Sequence, residues 1–174
     1  MLQGSSPSEA QAAGILVRHH APGDEPAVRD LVVPIQREEF GIAITYAEQP
    51  DLADVDGFYR RGAGEFWVAE TGGAIVGTIA LVDIGAGRGA LRKMFVARDC
   101  RGPGLGIARR LLDTLLAHAR DHGLAEIWLG TTDRFLSAHR FYEKSGFERV
   151  TEAALPAGFP RMAVDTVFYR LALA

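Results

Sequence analysis

The stretch Arg101-Gly102-Pro103-Gly104-Leu105-Gly106 joins an apolar run, Met94-Phe95-Val96, to a strongly amphipathic segment that opens at Ile107. The first N–H groups of a helix have no partners within it, and the helix dipole favours negative charge there. Glycines let a ligand come close to the backbone. Arg101 adds a positive charge. Together these features describe an anion site suited to a phosphate or pyrophosphate. Two nucleotide loops fail on their residues. A Walker loop needs Gly-Lys-Ser or Gly-Lys-Thr after Gly and four residues, and no such run is present. Gly102 and Gly104 begin a G-x-G-x-x-G pattern, but Ile107 stands in the third glycine position. Starting from Gly104 and Gly106, Arg109 stands there.

Other residue types that could do chemistry have plainer readings. His118 and His122 have the i, i+4 spacing of metal ligands, but Ala119 stands where a zinc-protease glutamate would be and no third ligand is evident. They read as surface residues near a helix end, and no metal is expected. His19-His20 follows a strand and reads as solvated. Cys100 is the one cysteine, which rules out an internal disulfide; it lies beside the anion site but reads as an inert loop residue. Arg92 and Lys93 precede the anion-site strand end, and strand alternation allows only one of them to face a ligand on a given side; the expectation is solvated or salt-bridged charges. Thr131-Thr132-Asp133 follows a strand and reads equally as site or as polar turn. Phe159, Arg161 and Met162, in the loop Leu155–Met162, read equally as lining of a ligand pocket or as simple loop packing.

The elements that must hold these residues follow from periodicity. Ile15-Leu16-Val17 predicts a first short strand. Asp24 can cap a helix with Pro26 in its first turn, running towards Phe40 and bent or broken at Pro34. Asp51 to Arg60 predicts a second short helix. Phe66–Ala69, Ala74–Asp83 and Ala90–Val96 predict three consecutive strands joined by glycine-rich turns. Ile107, Leu111, Leu115 and Ala119, with Ala108, Leu112 and Leu116 beside them, form one wide apolar helix face that ends at Gly123. Ile127–Leu129 predicts a strand, Ser137–Lys144 a helix, Phe147–Val150 a strand, and Val164–Leu173 a last strand with imperfect alternation. The order predicts an α/β layer around a mixed sheet.

The chain has 174 residues, which suits one domain, and 48% of them are hydrophobic, enough for a core without disulfides. A formal net charge of −3 argues against nucleic-acid binding driven by phosphate neutralisation. No apolar run is long enough to cross a bilayer, and the Ser-, Ala- and Gln-rich start has no signal-peptide pattern. Residues 1–14 are read as a flexible lead-in and 15–174 as the domain. The expected setting is cytoplasmic, without nucleic-acid or membrane partners.

Arg101 to Gly106 fits the Gln/Arg-x-x-Gly-x-Gly/Ala loop of the GNAT superfamily of N-acetyltransferases and follows a Met-Phe-Val strand end, as that loop does. Ala138-His139-Arg140-Phe141-Tyr142-Glu143-Lys144-Ser145-Gly146-Phe147 is similar to a second segment of that family, A-x-x-F/L-Y-E-K-x-G-F. The chain therefore resembles the GNAT superfamily from about Ile15 to Leu173. The resemblance implies the GNAT fold: a mixed, mostly antiparallel central sheet flanked by helices. It implies acetyl-CoA as cosubstrate, an amine acceptor, direct attack on the thioester, and in many relatives a homodimer. Met94, Phe95 and Val96 would meet the pantetheine arm, and a backbone N–H among them would serve the developing oxyanion. Arg101, Gly102, Gly104, Gly106, Ile107 and Ala108 would cradle the pyrophosphate, and Tyr142 would protonate the leaving thiolate. The family's frequent glutamate is Ala90 here and its frequent asparagine is Phe135, so the base is open among Glu39, Glu65, Asp83, Asp133 and His139. The missing glutamate also leaves room for a non-catalytic acyl-CoA sensor.

Overall fold

The computed structural model describes residues 14–102 and 104–173. The expected flexible start thus lies, except for Gly14, outside the described residues. A seven-stranded sheet runs through the molecule: β1 (Leu16–His19), β2 (Glu65–Thr71), β3 (Ala74–Gly85), β4 (Arg88–Val96), β5 (Glu126–Thr131), β6 (Glu148–Val150) and β7 (Val167–Ala172). Its spatial order is β1-β2-β3-β4-β5-β7-β6, and every neighbouring pair is antiparallel except β4–β5. The mixed, mostly antiparallel sheet expected from the sequence is therefore present.

The helices are α1 (Glu25–Pro34), the single turns α2 (Pro50–Ala53) and α3 (Val55–Phe58), α4 (Ile107–Asp121) and α5 (Leu136–Lys144). They divide between the two faces of the sheet. Ile107, Leu111, Leu112 and Leu115 of α4 are buried against Ile79, Leu81, Ile127 and Leu129 of the sheet. Val28 and Val32 of α1 pack with Leu52, Val55 and Tyr59 against Phe66, Val68 and Ala80 on the other face. Each fully buried leucine contributes about 1.5–3 kcal/mol relative to exposure.

Several local outcomes differ from the sequence reading. Asp24 stands at the N-cap of α1, as expected, but its side chain bonds no helix N–H; the carboxylate accepts two hydrogen bonds from Arg18, at 2.7 and 3.0 Å, and one from the Ala21 N–H. The guanidinium offers the carboxylate two charge-assisted bonds and draws it away from the helix N–H groups. Pro34 ends α1, as its missing N–H requires, but the chain continues as a π turn over Ile35–Glu39 that closes with Phe40 N–H donating to Ile35 C=O. The helix expected over Asp51–Arg60 is split at Asp54, which caps α3 through the Gly57 N–H. His20 is 4% exposed rather than solvated, and it packs edge-on to Phe66. The last strand starts at Val167, because Met162 to Thr166 forms a turn closed by the Asp165 N–H on Met162 C=O. His118 is committed to the Ala63 carbonyl and stacks on His122, and no cluster of metal-binding side chains occurs among the described residues. No helix there is long and apolar enough to cross a membrane.

Leu115 is fully buried at the middle of α4. Leu115→Ala should lower unfolding free energy by about 2–5 kcal/mol in urea titration; a loss below about 1 kcal/mol would show that this face of α4 is not the core contact described.

Candidate active site

Strands β4 and β5 pair in parallel only at Arg88–Glu126, Gly89–Ile127 and Ala90–Trp128, and then part. The cause lies in β4. Across Thr78 to Ala80 of β3, its partner runs from Phe95 back to Arg92, so one extra residue is accommodated. Lys93 takes it up with φ of 52°, a left-handed conformation uncommon for a lysine. The Thr78 hydroxyl holds this β-bulge by donating to Lys93 C=O at 2.7 Å. Bulges bend the strand that carries them, and the gap beside it opens into a cavity of about 860 Å³.

The cavity runs through the sheet. On the α4–α5 side its lining includes Met94, Val96, Arg101, Gly102, Gly106, Ala108 and Tyr142. Of the other residues singled out in the sequence, Phe95 lines it too, whereas Ile107 is 1% exposed and packed in the core and Gly104 sits on the exposed turn. Gly106, with φ of 65°, is the N-cap of α4. A side chain there would be strained, and a Cβ built at Gly102, Gly104 or Gly106 meets nothing within 4 Å. The loop backbone is therefore bare towards space large enough for a phosphate group. Arg101 is tied down: its guanidinium donates to both carboxylate oxygens of Glu39, at 3.0 and 2.6 Å, and to Val96 C=O at 2.8 Å. That pair joins the glycine loop to the π turn after α1 and holds the Glu39 carboxyl below its usual range.

Tyr142 is buried, on α5, with its hydroxyl 3.6 Å from the Met94 sulfur. Burial pushes its pKa upward, so it stays protonated at neutral pH and can give a proton but not take one.

On the α1–α3 side the lining is mainly apolar, with Phe40, Ile42, Ile44, Phe135, Phe159 and Met162. Phe159 and Met162 of the Leu155–Met162 loop reach the cavity; Arg161 instead pairs with Glu152 at 2.9 Å. Both Arg92 and Lys93 reach it as well, contrary to simple alternation, because the bulge breaks the two-residue period. Lys93 is buried and salt-bridged, the second of the two outcomes expected for it. Its ammonium donates to Gln49 Oε1, lies 3.6 Å from Asp51, and is pulled down to about 8 by burial. Gln49 in turn exchanges both amide hydrogen bonds with Gln36.

None of the five groups left open as a base lines this cavity. Glu39 is engaged by Arg101, Glu65 by Arg60 and His19, and Asp83 by the Ala63 and Gly85 N–H groups. His139 is bonded to Thr132 C=O, and Asp133 is exposed. The one carboxylate among the lining residues is Asp165, which sequence reasoning placed inside a strand. The only signal for it was an acidic residue in the apolar run Val164-Asp165-Thr166-Val167.

Compared with known proteins, residues 27–147 match the model of the acetyltransferase (GNAT) family. A mouse protein named probable N-acetyltransferase family 8 member 5 is 36% identical over 104 residues, covering 58% of this chain and 46% of that one. The chain spans about half the length of the curated relatives it matches. A crystal structure of a GNAT-family acetyltransferase from Staphylococcus aureus Mu50 superposes with a TM-score of 0.87 at 34% identity, covering 92% of this chain and 99% of that one. A Salmonella typhimurium protein solved with acetyl-CoA as its cofactor shares the fold, with a TM-score of 0.68 at 19% identity over 92% of this chain and 95% of that one. The glycine loop, the parted strands and the tyrosine helix are thus features of a chain that belongs to the acetyltransferase (GNAT) family.

Proposed function

We propose that this chain is an acetyl-CoA-dependent N-acetyltransferase that moves the acetyl group directly from the thioester to an amine. The observation that carries this reading is that the bare glycine loop at the start of α4, the unpaired edge of β4 and the Tyr142 hydroxyl all open on one cavity. The family names of the relatives and the acetyl-CoA in the Salmonella protein support the same donor.

The residues fit the roles that the resemblance implies. Gly102, Gly104 and Gly106, with the N–H groups at Ile107 and Ala108, would hold the pyrophosphate at the helix N-terminus. Arg101 would add charge, exchanging part of its pairing with Glu39 for phosphate oxygen. The β4 backbone from Met94 to Val96, left without a strand partner on its β5 side, would bind the pantetheine amides as a further strand does. An N–H of that segment would donate to the carbonyl oxygen as it gains charge. The amine nitrogen forms its bond to the carbonyl carbon, the carbon–sulfur bond breaks, and Tyr142 supplies the proton that the sulfur takes up.

Thermal unfolding with acetyl-CoA, CoA, ATP and NAD tests the donor. The midpoint should rise with acetyl-CoA and CoA alone, since a ligand that binds only the folded state stabilises it; no shift with either CoA species would sink the reading. Gly104→Val places its side chain in open space, so it should fold normally while weakening CoA binding about tenfold or more by crowding the pyrophosphate. Tyr142→Phe removes only the contact to Met94 sulfur, so acetyl-CoA affinity should hold while kcat falls by about 10²-fold. Unchanged kcat would remove Tyr142 from the chemistry. Binding without turnover across a broad amine panel would identify a sensor instead.

A further inference from the structure

Among the charged groups that line the cavity, Arg92 and Asp165 have no part in the chemistry above. Arg92 lies on β4 opposite Ala80, which belongs to the core on the α1–α3 face. Its guanidinium touches the Met162 sulfur at 3.4 Å and the Phe58 ring at 5.8 Å, and it forms no ion pair among the described residues. Asp165 precedes β7 and is 6% exposed. It lies over Gly130, where an added Cβ would stand 2.6 Å from its Oδ2. Since Ile127 and Leu129 of β5 face α4, Gly130 and the carboxylate above it face the other way. Arg92 and Asp165 therefore share the sheet face opposite Tyr142. Asp165 Oδ2 accepts from the Met162 N–H at 2.9 Å, so one methionine separates a cation from an anion that do not touch.

A guanidinium with a thioether and a ring as its contacts, near a buried carboxylate with one hydrogen bond, is an expensive arrangement unless something completes it. What completes it must carry an anion for Arg92, a cation for Asp165, and little distance between them. The surrounding Phe159, Met162 and Val164 favour an apolar remainder. We infer that the acceptor is a free amino acid with an apolar side chain, its carboxylate held by Arg92 and its ammonium by Asp165, which takes the proton that frees the nitrogen for attack. This rests on the acetyl-CoA reading of the same cavity.

The step balances. One ammonium proton passes to the Asp165 carboxylate, and the freed lone pair forms the carbon–nitrogen bond. The carbon–sulfur bond breaks, and the sulfur takes the Tyr142 proton. Tyr142 recovers a proton from the acylated nitrogen, and Asp165 releases its own to water. Burial raises the Asp165 pKa, against the opposing pull of Arg92 and Arg161, which strengthens it as a base. Among the described residues, those two arginines are the charged groups that act on it, and the Met162 N–H donates to it.

Matched pairs test the acceptor: leucine against 3-methylbutylamine, phenylalanine against phenethylamine, and a leucyl peptide beside both, with CoA release as the readout. The amino acids should exceed their decarboxylated partners in kcat/KM by about tenfold or more, because a site built for a polar group rejects the analogue that lacks it. Arg92→Gln should bring that ratio close to one, chiefly through KM. Asp165→Asn should lower kcat/KM most at neutral pH and recover at high pH, where free amine is abundant. The Asn oxygen can still accept from the Met162 N–H, and a carboxylate whose folded pKa is raised loses stability as pH climbs past its unfolded value, so the variant should be at least as stable as the parent at pH 7. Equal or better turnover of the decarboxylated amines or the peptide would overturn the proposal, as would a ratio untouched by Arg92→Gln or an Asp165→Asn loss that is the same at every pH. A chain that binds acetyl-CoA but acetylates none of the amino acids would overturn this acceptor class and leave the donor reading standing. Failure to bind acetyl-CoA at all would instead strike the reading beneath it.

Discussion

Parallel hydrogen bonding between β4 and β5 lasts for three residue pairs, and the β4 backbone beyond Ala90 must then satisfy its polar groups without β5. Unpaired N–H and C=O groups inside a protein are costly unless water or a ligand meets them. A strand edge exposed to a cavity is therefore both a liability and a template. Every other feature of the site is arranged around that edge. The glycine loop continues from its end, Tyr142 approaches it from α5, and Arg92 and Lys93 project from it to the far side. The bulge held by Thr78 keeps the edge open, so the cavity depends on the sheet before it depends on any loop.

The two ends of the cavity differ in how their charge is held. Towards α4 and α5 the lining carries Arg101, Arg109, Arg140 and Lys144, on a molecule whose formal net charge is −3. Overall charge thus says little about the local field, which is set by which side chains a fold gathers. Some of these cations are already occupied: Arg109 donates to Ser145 at 2.7 Å and lies over Phe141, and Arg101 is chelated by Glu39. A phosphate bound there would compete with partners already in place, and its net gain would be smaller than a count of arginines suggests. On the other side Lys93 is absorbed into a buried network with Gln49, Gln36 and Asp51 that joins α2 and the π turn to the strand. Its charge is spent on structure, whereas that of Arg92 is not.

Much of this was legible in the residues because it is local. The apolar columns of α4, the strand–glycine–helix junction and the segment around Tyr142 are patterns that the backbone period imposes directly. What escaped is set by contacts between distant segments. Nothing near Lys93 announces a left-handed residue; the extra residue becomes visible only against the register of β3. Asp24 has the right type and place for a cap, yet Arg18 of β1 claims it. Asp165 looked like part of an alternating strand, and its burial comes from the absence of a side chain at Gly130 on another strand. The α1–α3 side of the cavity is assembled from the π turn after α1 and the loop beyond it, β4, β5 and the turn before β7, and no spacing in the chain connects them.

The bulge has a further meaning when the ladder is treated as two rulers. From Thr78 to Ala80 the strand β3 counts three residues, while β4 counts four from Arg92 to Phe95. Two strips fastened together with unequal lengths must bow, as a heated bimetallic strip does. Here the longer strip curves out of line with its next neighbour. The opening is a consequence of counting, independent of what the wall residues are. Side chains along the walls can then be exchanged for others without closing the gap, and one scaffold can be refitted to many acceptors while its donor groove stays as it is.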